Sequence, residues 1–171
     1  GGLGYVPEDR EHDGLISSFT VTENLVLDQF ANPPYSSGGV LKSSVIDKRA
    51  DELIEEFDVR TQAAAAPVSS LSGGNKQKVV MAREMSRELR VLVASQPTRG
   101  VDVGSIEFLH KRIVAERERG AAVLIISSEL DEIYALSDRI AVMYRGAIIG
   151  VVGPETSRDE MGLLMAGVTN D

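Results

Sequence analysis

Residues 71–78, Leu-Ser-Gly-Gly-Asn-Lys-Gln-Lys, open a long helical stretch and are the strongest chemical signal in the chain. Ser72 is a good N-cap. At such a helix start the first backbone N–H groups lack partners, and the positive end of the helix dipole favours an anion such as phosphate. The Ser72 hydroxyl can also be offered to a ligand, and Gly73 and Gly74 let that ligand approach the backbone closely. An ordinary Ser-Gly-Gly turn capping a helix presents the same three residues. A second polar pair, Ser95-Gln96, follows the apolar run Val91 to Ala94 and precedes Pro97-Thr98-Arg99-Gly100. An amide there can orient water by hydrogen bonding but cannot take a proton as a carboxylate can. A merely polar strand end is the plainer reading.

The elements that must position these residues are legible in outline. Three short apolar segments read as buried strands: Leu3 to Val6, Val91 to Ala94 and Ala122 to Ile126. Helical patterns between the later ones predict a parallel sheet with crossover helices. After Gly104, Ile106, Leu109 and Ile113 share one helical face, and Gly120 stands where a helix-ending C′ residue belongs. Arg139 to Tyr144 and Ala147 to Val152 flank Arg145-Gly146 as a hairpin. Between residues 20 and 70, Thr22 heads a helix through Leu27, and Asn32 to Gly39 is a loop. Ser44 caps a second amphipathic helix carrying Ile46, Ala50, Leu53, Ile54 and Phe57.

With 171 residues, 43% of them hydrophobic, the chain suits one domain with a sizeable core. A net charge of −8 argues against a nucleic-acid surface. No apolar run approaches the length of a membrane span, so membrane contact would go through a partner. There is no cysteine, which excludes disulfides and thiolate metal sites and permits a cytosolic setting. No signal peptide is visible at Gly1, and the abrupt start reads as a piece of a larger protein.

The octet followed by Val79-Val80-Met81-Ala82-Arg83 resembles the signature motif of ABC-type ATPases. Its Asn-Lys-Gln version is similar to the tandem ATPases of sugar and nucleoside importers. The resemblance runs from about Tyr5 to Val151, and the tail from Glu160 to Gly167 also looks like the end of such subunits. It implies an α/β fold: a partial P-loop NTPase core, RecA-like with a parallel sheet, and an inserted helical signature subdomain. Residues 1–19 would be the Q-loop region and 20–89 the helical and signature subdomain. Residues 90–171 would hold the Walker B strand, D-loop, switch region, hairpin and tail.

Other family motifs are altered. The Walker B pattern Asp-Glu-Pro-Thr, whose acids serve Mg²⁺ and the attacking water, reads Ser95-Gln96-Pro97-Thr98. Glu8 falls on the Q-loop glutamine within Tyr5 to Arg10, a stretch that also reads as a solvated charged turn. Ser128 occupies the switch histidine's place. His12 and His110 fall outside these motifs and read as surface or helix-flank residues. The phosphate-wrapping Walker A loop is missing; Gly38-Gly39-Val40-Leu41-Lys42-Ser43 is a decoy with Leu41 at the essential glycine.

What the resemblance implies is an importer's ATP-binding half, degenerate for hydrolysis at its own nucleotide. Ser72, Gly73, Gly74 and Gln77 would contact ATP held by another ATPase half, with Asp102 in the D-loop between the sites. Gln96, Ser95, Ser128 and Glu8 would line this half's own catalytic positions, and no metal ligand is assigned in the chain. ATP and Mg²⁺ are the implied cofactors of the whole protein. Its implied partners are an N-terminal ATPase half or second copy, membrane permeases and, indirectly, a solute-binding protein, at the cytoplasmic face of the membrane. The Ala-Ser-Gln-Pro-Thr-Arg-Gly string looks closest to nucleoside importers. A soluble ABC ATPase acting on ribosomes or nucleic acid, and a non-catalytic interaction domain, are the alternative classes.

Overall fold

The computed structural model describes residues 2–168. The chain divides into two compact units, with the break between Ile126 and Ser127. The expected boundaries at 19/20 and 89/90 both fall inside the first unit.

In chain order the first unit contains β1 (Leu3–Val6), a π-helical turn (Arg10–Gly14), α1 (Val21–Leu25), β2 (Ser36–Ser37), β3 (Val40–Leu41) and α2 (Ser43–Glu56). A 3₁₀ turn (Val68–Ser70), α3 (Gly73–Met85), β4 (Val91–Ser95), α4 (Val103–Glu118) and β5 (Ala122–Ile126) follow. The three expected strands form one parallel sheet in the order β1-β4-β5. Parallel neighbours need crossovers, and α1 to α3 supply the first and α4 the second. Val6 lies beside Ala94 and Ala94 beside Ile125, so the three strands end level and their outgoing segments start at one edge. One sheet face is core, with Val6, Leu92 and Ala94 fully buried. The other face leaves Leu3, Tyr5, Leu124 and Ile126 about half exposed.

Helix α3 is the hub of the unit. It touches α1, α2, α4 and β1, and its residues Gln77 to Met85 are all buried. A helix enclosed on every side must still house its charges. Glu84 does so by accepting from Arg83 Nε at 3.0 Å, Arg87 Nη2 at 3.0 Å and the Tyr5 backbone N–H at 3.2 Å. The last bond pins β1 to α3. Lys78 donates to the Asp58 carboxylate at 2.7 Å and carbonyl at 2.9 Å, and its ammonium lies 5.0 Å over the Phe108 ring.

Several boundaries differ from expectation for local reasons. Helix α1 is capped by Thr20, not Thr22, because Glu23 stands three residues on. Thr20 N–H donates to Glu23 Oε2 at 2.7 Å, and Glu23 N–H donates back to Thr20 Oγ1 at 3.1 Å. The helix stops at Leu25, short of Leu27. Ser44 is not a cap: α2 already begins at Ser43, with Lys42 at the N-cap and no side-chain bond there. The loop to Gly39 contains part of a short hairpin, β2–β3, whose turn residues Gly38 and Gly39 both have positive φ. That turn occupies the phosphate-loop decoy. The helix after Gly104 runs from Val103, caps on Asp102 and ends as expected, with Gly120 and Ala121 N–H groups donating back to the Arg117 and Glu116 carbonyls.

The second unit holds α5 (Leu130–Leu136), β6 (Ile140–Tyr144), β7 (Ala147–Val152) and α6 (Arg158–Met165). Strands β6 and β7 pair antiparallel around Arg145-Gly146, as the spacing predicts. Ile140, Val142 and Met161 form its core, covered by Leu130, Ile133, Tyr134 and Leu164.

The Lys78–Asp58 pair yields a stability test. The Lys78 side chain is 4% exposed and that of Asp58 56%. The hydrogen bond from Lys78 holds the Asp58 carboxyl below its ordinary value of 3.8. Asp58→Asn leaves a buried ammonium with weaker acceptors and should cost about 1–2 kcal/mol in denaturant unfolding at pH 7, limited by the solvent around Asp58. A depressed carboxyl stabilises fully above its unfolded value and loses that contribution as pH falls through its folded value. The wild-type advantage should therefore disappear in acid, and adding Lys78→Met should recover part of the loss at pH 7. Equal stability of Asp58→Asn and wild type at pH 7 would show the ion pair to be inert.

Candidate functional site

Helix α3 emerges from the core only at its first turn. Ser72 is exposed and occupies the N-cap, its Oγ accepting from Asn75 N–H at 3.4 Å and Asn75 Nδ2 at 2.9 Å. Both bonds use the oxygen as acceptor, so the hydroxyl proton is left to donate. Asn75 Oδ1 in turn accepts from the Arg60 N–H at 2.8 Å, tying the tip to the segment after α2. The N–H groups of Gly73 and Gly74 open the helix and have no acceptor within it. The tip thus combines a fixed hydroxyl, two backbone donors and the positive helix end.

The two glycines also have a packing reason. A Cβ on Gly74 would lie 2.8 Å from Asp102 Oδ2 and 3.4 Å from Ser105 Oγ. A Cβ on Gly73 would lie 2.9 Å from Arg10 Nη2 and 3.2 Å from the Gly100 carbonyl. Their missing side chains let α3 approach the loop after β4 and the start of α4, whatever else reaches the backbone. Asp102 caps α4, accepting from Ser105 N–H at 3.0 Å and Ser105 Oγ at 2.9 Å. These bonds, the hydroxyl first, hold its carboxyl below the usual carboxylate range. Asp102 is therefore a charged acceptor beside the tip.

A second group of residues gathers at the level ends of the strands. Ser95 ends β4 and is half-buried. Gln96 follows with φ +48°, a left-handed state that costs a non-glycine residue roughly 1–2 kcal/mol. It is held there by its N–H, which donates to the Ile126 carbonyl at 2.7 Å, and by its own carbonyl, which accepts from Arg99 N–H at 3.1 Å. Glu8, beyond the end of β1, accepts from Arg99 Nη1 at 2.5 Å. Arg10 reaches the same loop, donating to the Arg99 carbonyl at 2.7 Å.

The fold thus brings Glu8, Ser95 and Gln96 to one sheet edge, and sets Ser72, Gly73 and Gly74 against Asp102. Ser128 is exposed and belongs to the second unit, two residues past β5. Gln77 is the exception among the expected ligand contacts. It is 1% exposed on the enclosed part of α3, and its Nε2 has no hydrogen-bond partner among the described residues, so it is not presented to a ligand in this structure. Neither Arg10 nor Asn75 is among the site residues that the sequence points to. Arg10 sits in a charge-rich stretch that reads as a solvated turn, yet it is half-buried; Asn75 enters the sequence reading only as a member of the octet. His12 is an exposed residue paired with Asp13 at 2.6 Å, which raises its pKa.

Comparison with known proteins places the fold and the family. The ABC transporter family model matches residues 1–99. The nucleoside import ATP-binding protein NupA of Lactococcus lactis is 52% identical over 96% of this chain and 33% of its own length. The guanosine import ATP-binding protein NupO of Bacillus subtilis is 49% identical over 98% of the chain and 33% of its own. The ribose import ATP-binding protein RbsA 2 of Rubrobacter xylanophilus is 42% identical over 98% and 32%. The chain spans about a third of the length of the curated relatives it matches. Among solved structures, the dimeric post-hydrolysis ATP-binding cassette MJ0796, bound to ADP and phosphate, superposes with a TM-score of 0.70 at 21% identity. The match covers 91% of this chain and 64% of that one, and fixes the fold as the parallel-sheet α/β architecture of ATP-binding cassettes. The chain belongs to the ABC transporter family.

Proposed function

We propose that this chain is the C-terminal ATP-binding portion of an import ATPase for nucleosides or sugars, and that the tip of α3 grips the terminal phosphate of an ATP bound by another ATPase half. The observation that carries this reading is the exposed Ser72 cap of an otherwise enclosed helix, whose Gly73 and Gly74 N–H groups have no acceptor within it. ATP supplies the phosphoryl group that is transferred to water. This chain's part is positional: the Ser72 hydroxyl and the Gly73 and Gly74 N–H groups donate to phosphate oxygens, and the buried body of α3 keeps those donors fixed. Asp102, charged and locked by Ser105, stands beside them at the junction of the two halves.

The chain's own catalytic positions do not fit Mg²⁺ or a general base. Positions 95 and 96 offer a hydroxyl and an amide, and the Glu8 carboxylate is taken by Arg99. Among the described residues no three acidic, His or Cys side chains gather to hold a metal ion. With serine at 128 in place of an imidazole, this half is degenerate for hydrolysis, and turnover belongs to the other site. The helical segment 20–89 relays closure and opening of the halves to membrane permeases, which receive solute from a binding protein. Attachment to the cytoplasmic face runs through those permeases; among the described residues no helix is long and apolar enough to cross a membrane. The two relatives near 50% identity are nucleoside importers by name, which favours a nucleoside over a pentose as cargo.

Three measurements on the intact transporter test this. Ser72→Ala should lower phosphate release by about a hundredfold, the scale of losing one preorganised donor to a developing charge. Gln96→Ala, and the double change Ser95→Asp with Gln96→Glu, should leave turnover largely intact; a large loss on Gln96→Ala would make Gln96 a catalytic residue and end the degenerate-half reading. Uptake of labelled guanosine should exceed that of labelled ribose, and ribose-only uptake would reassign the cargo. The 171-residue chain alone should release no more phosphate from ATP than buffer does.

A further inference from the structure

We propose that Arg10 is a positioning residue that locks the α3 tip to the loop after β4, so that the two move as one piece; this rests on the tip being the phosphate seat. Arg10 Nη1 donates to the Arg99 carbonyl at 2.7 Å, and Nη2 lies 3.5 Å from the Gly100 carbonyl. The same Nη2 would lie 2.9 Å from a Cβ on Gly73. One guanidinium therefore spans two successive carbonyls of the loop beside the first residue of α3. A planar fork can span those carbonyls; a lysine ammonium cannot do so with the same geometry.

The surroundings are built to hold Arg10 still. Its Nε is buried, so the stem is lodged in protein and not waving in solvent. Asp9 caps the turn that begins at Arg10, accepting from Glu11 and His12 N–H groups at 3.0 Å. Lys76 of α3 pairs with Glu11 of the same turn at 3.0 Å. Glu8 grips the guanidinium of the residue whose carbonyl Arg10 holds. The segment 8–11 is thus bonded to the loop through Glu8 and Arg10 and to α3 through Glu11.

The sign of the charge points the same way. A cation beside a helix N-terminus is disfavoured, by roughly 0.3–1 kcal/mol in exposed settings. An acidic residue would stabilise α3 better at this place. Arg10 stands there for its bonds to the loop carbonyls.

Because the nucleotide is anchored elsewhere, loosening the tip should lower kcat and leave the KM for ATP little changed. The variant of choice in the intact transporter is Arg10→Met, which keeps the packed stem and removes the donors. It should lower kcat roughly tenfold to a hundredfold, the scale of a misplacement on the order of 1 Å. Amide hydrogen exchange should rise together at residues 72–76 and 99–102, a readout that a solvated surface arginine would not move. Arg10→Lys should recover only part of kcat. Wild-type kcat and exchange in Arg10→Met, while Ser72→Ala still lowers turnover about a hundredfold, would overturn the role of Arg10 and leave the phosphate seat standing. Unchanged turnover in Ser72→Ala would instead remove the seat, and this inference with it. If Arg10→Met lowers the melting temperature, the exchange measurement below that transition decides: a rise confined to α2 and not shared by the tip and loop counts against the lock.

Discussion

Helix α3 is enclosed by α1, α2, α4 and β1 everywhere but its first turn, and the functional geometry of the first unit is measured from it. Full enclosure of a helix that carries Lys78, Arg83 and Glu84 is tolerated only because each charge meets a partner. Those partners are not idle. Glu84 also binds the Tyr5 N–H, and Lys78 binds Asp58, just past the end of α2, so the buried charges set the helix against the sheet on one side and the helical segment on the other. A hydrophobic helix could slide or rotate between such neighbours at little cost; one pinned by directional bonds cannot. The exposed tip inherits that rigidity.

The glycines of the tip illustrate how one sequence feature can serve a need different from its apparent one. Read alone, Gly73-Gly74 suggests room for a ligand. In the fold, the directions a side chain would take are filled by Arg10, the Gly100 carbonyl, Asp102 and Ser105. Close packing of α3 against the loop is thus sufficient reason for both glycines. The two roles are compatible, since N–H vectors at a helix start point along the axis and Cβ vectors point away from it.

At the ends of the strands the backbone brings together Glu8, Ser95 and Gln96. Gln96 keeps a left-handed conformation that an amide side chain does not require, held by bonds to Ile126 and Arg99. Glu8 carries a carboxylate there and gives it to Arg99. An ion pair exposed on both sides contributes little to stability. Its effect is to orient Arg99, and through Arg99 the loop that faces α3.

Much of this could be read from the chain. The three parallel strands, the Arg145-Gly146 hairpin and the helix ending at Gly120 were legible because period, turn chemistry and helix stops are local properties. The helix caps lie at Thr20 and Lys42, two residues before the Thr22 and Ser44 the sequence suggests; at Thr20 a capping box with Glu23 decides between adjacent candidates. The octet at 71–78 identified the family by itself, since its residue types and spacing are the signal. Its surroundings could not be read that way. Whether Gln77 faces a ligand or the core depends on which side of α3 the neighbouring helices cover, and whether Arg10 is a solvated charge or a strut depends on a carbonyl 89 residues away. Residue order determines which groups sit at the helix tip; only contacts between distant segments decide which of them face outward, because burial is a property of the packed chain and of no segment within it.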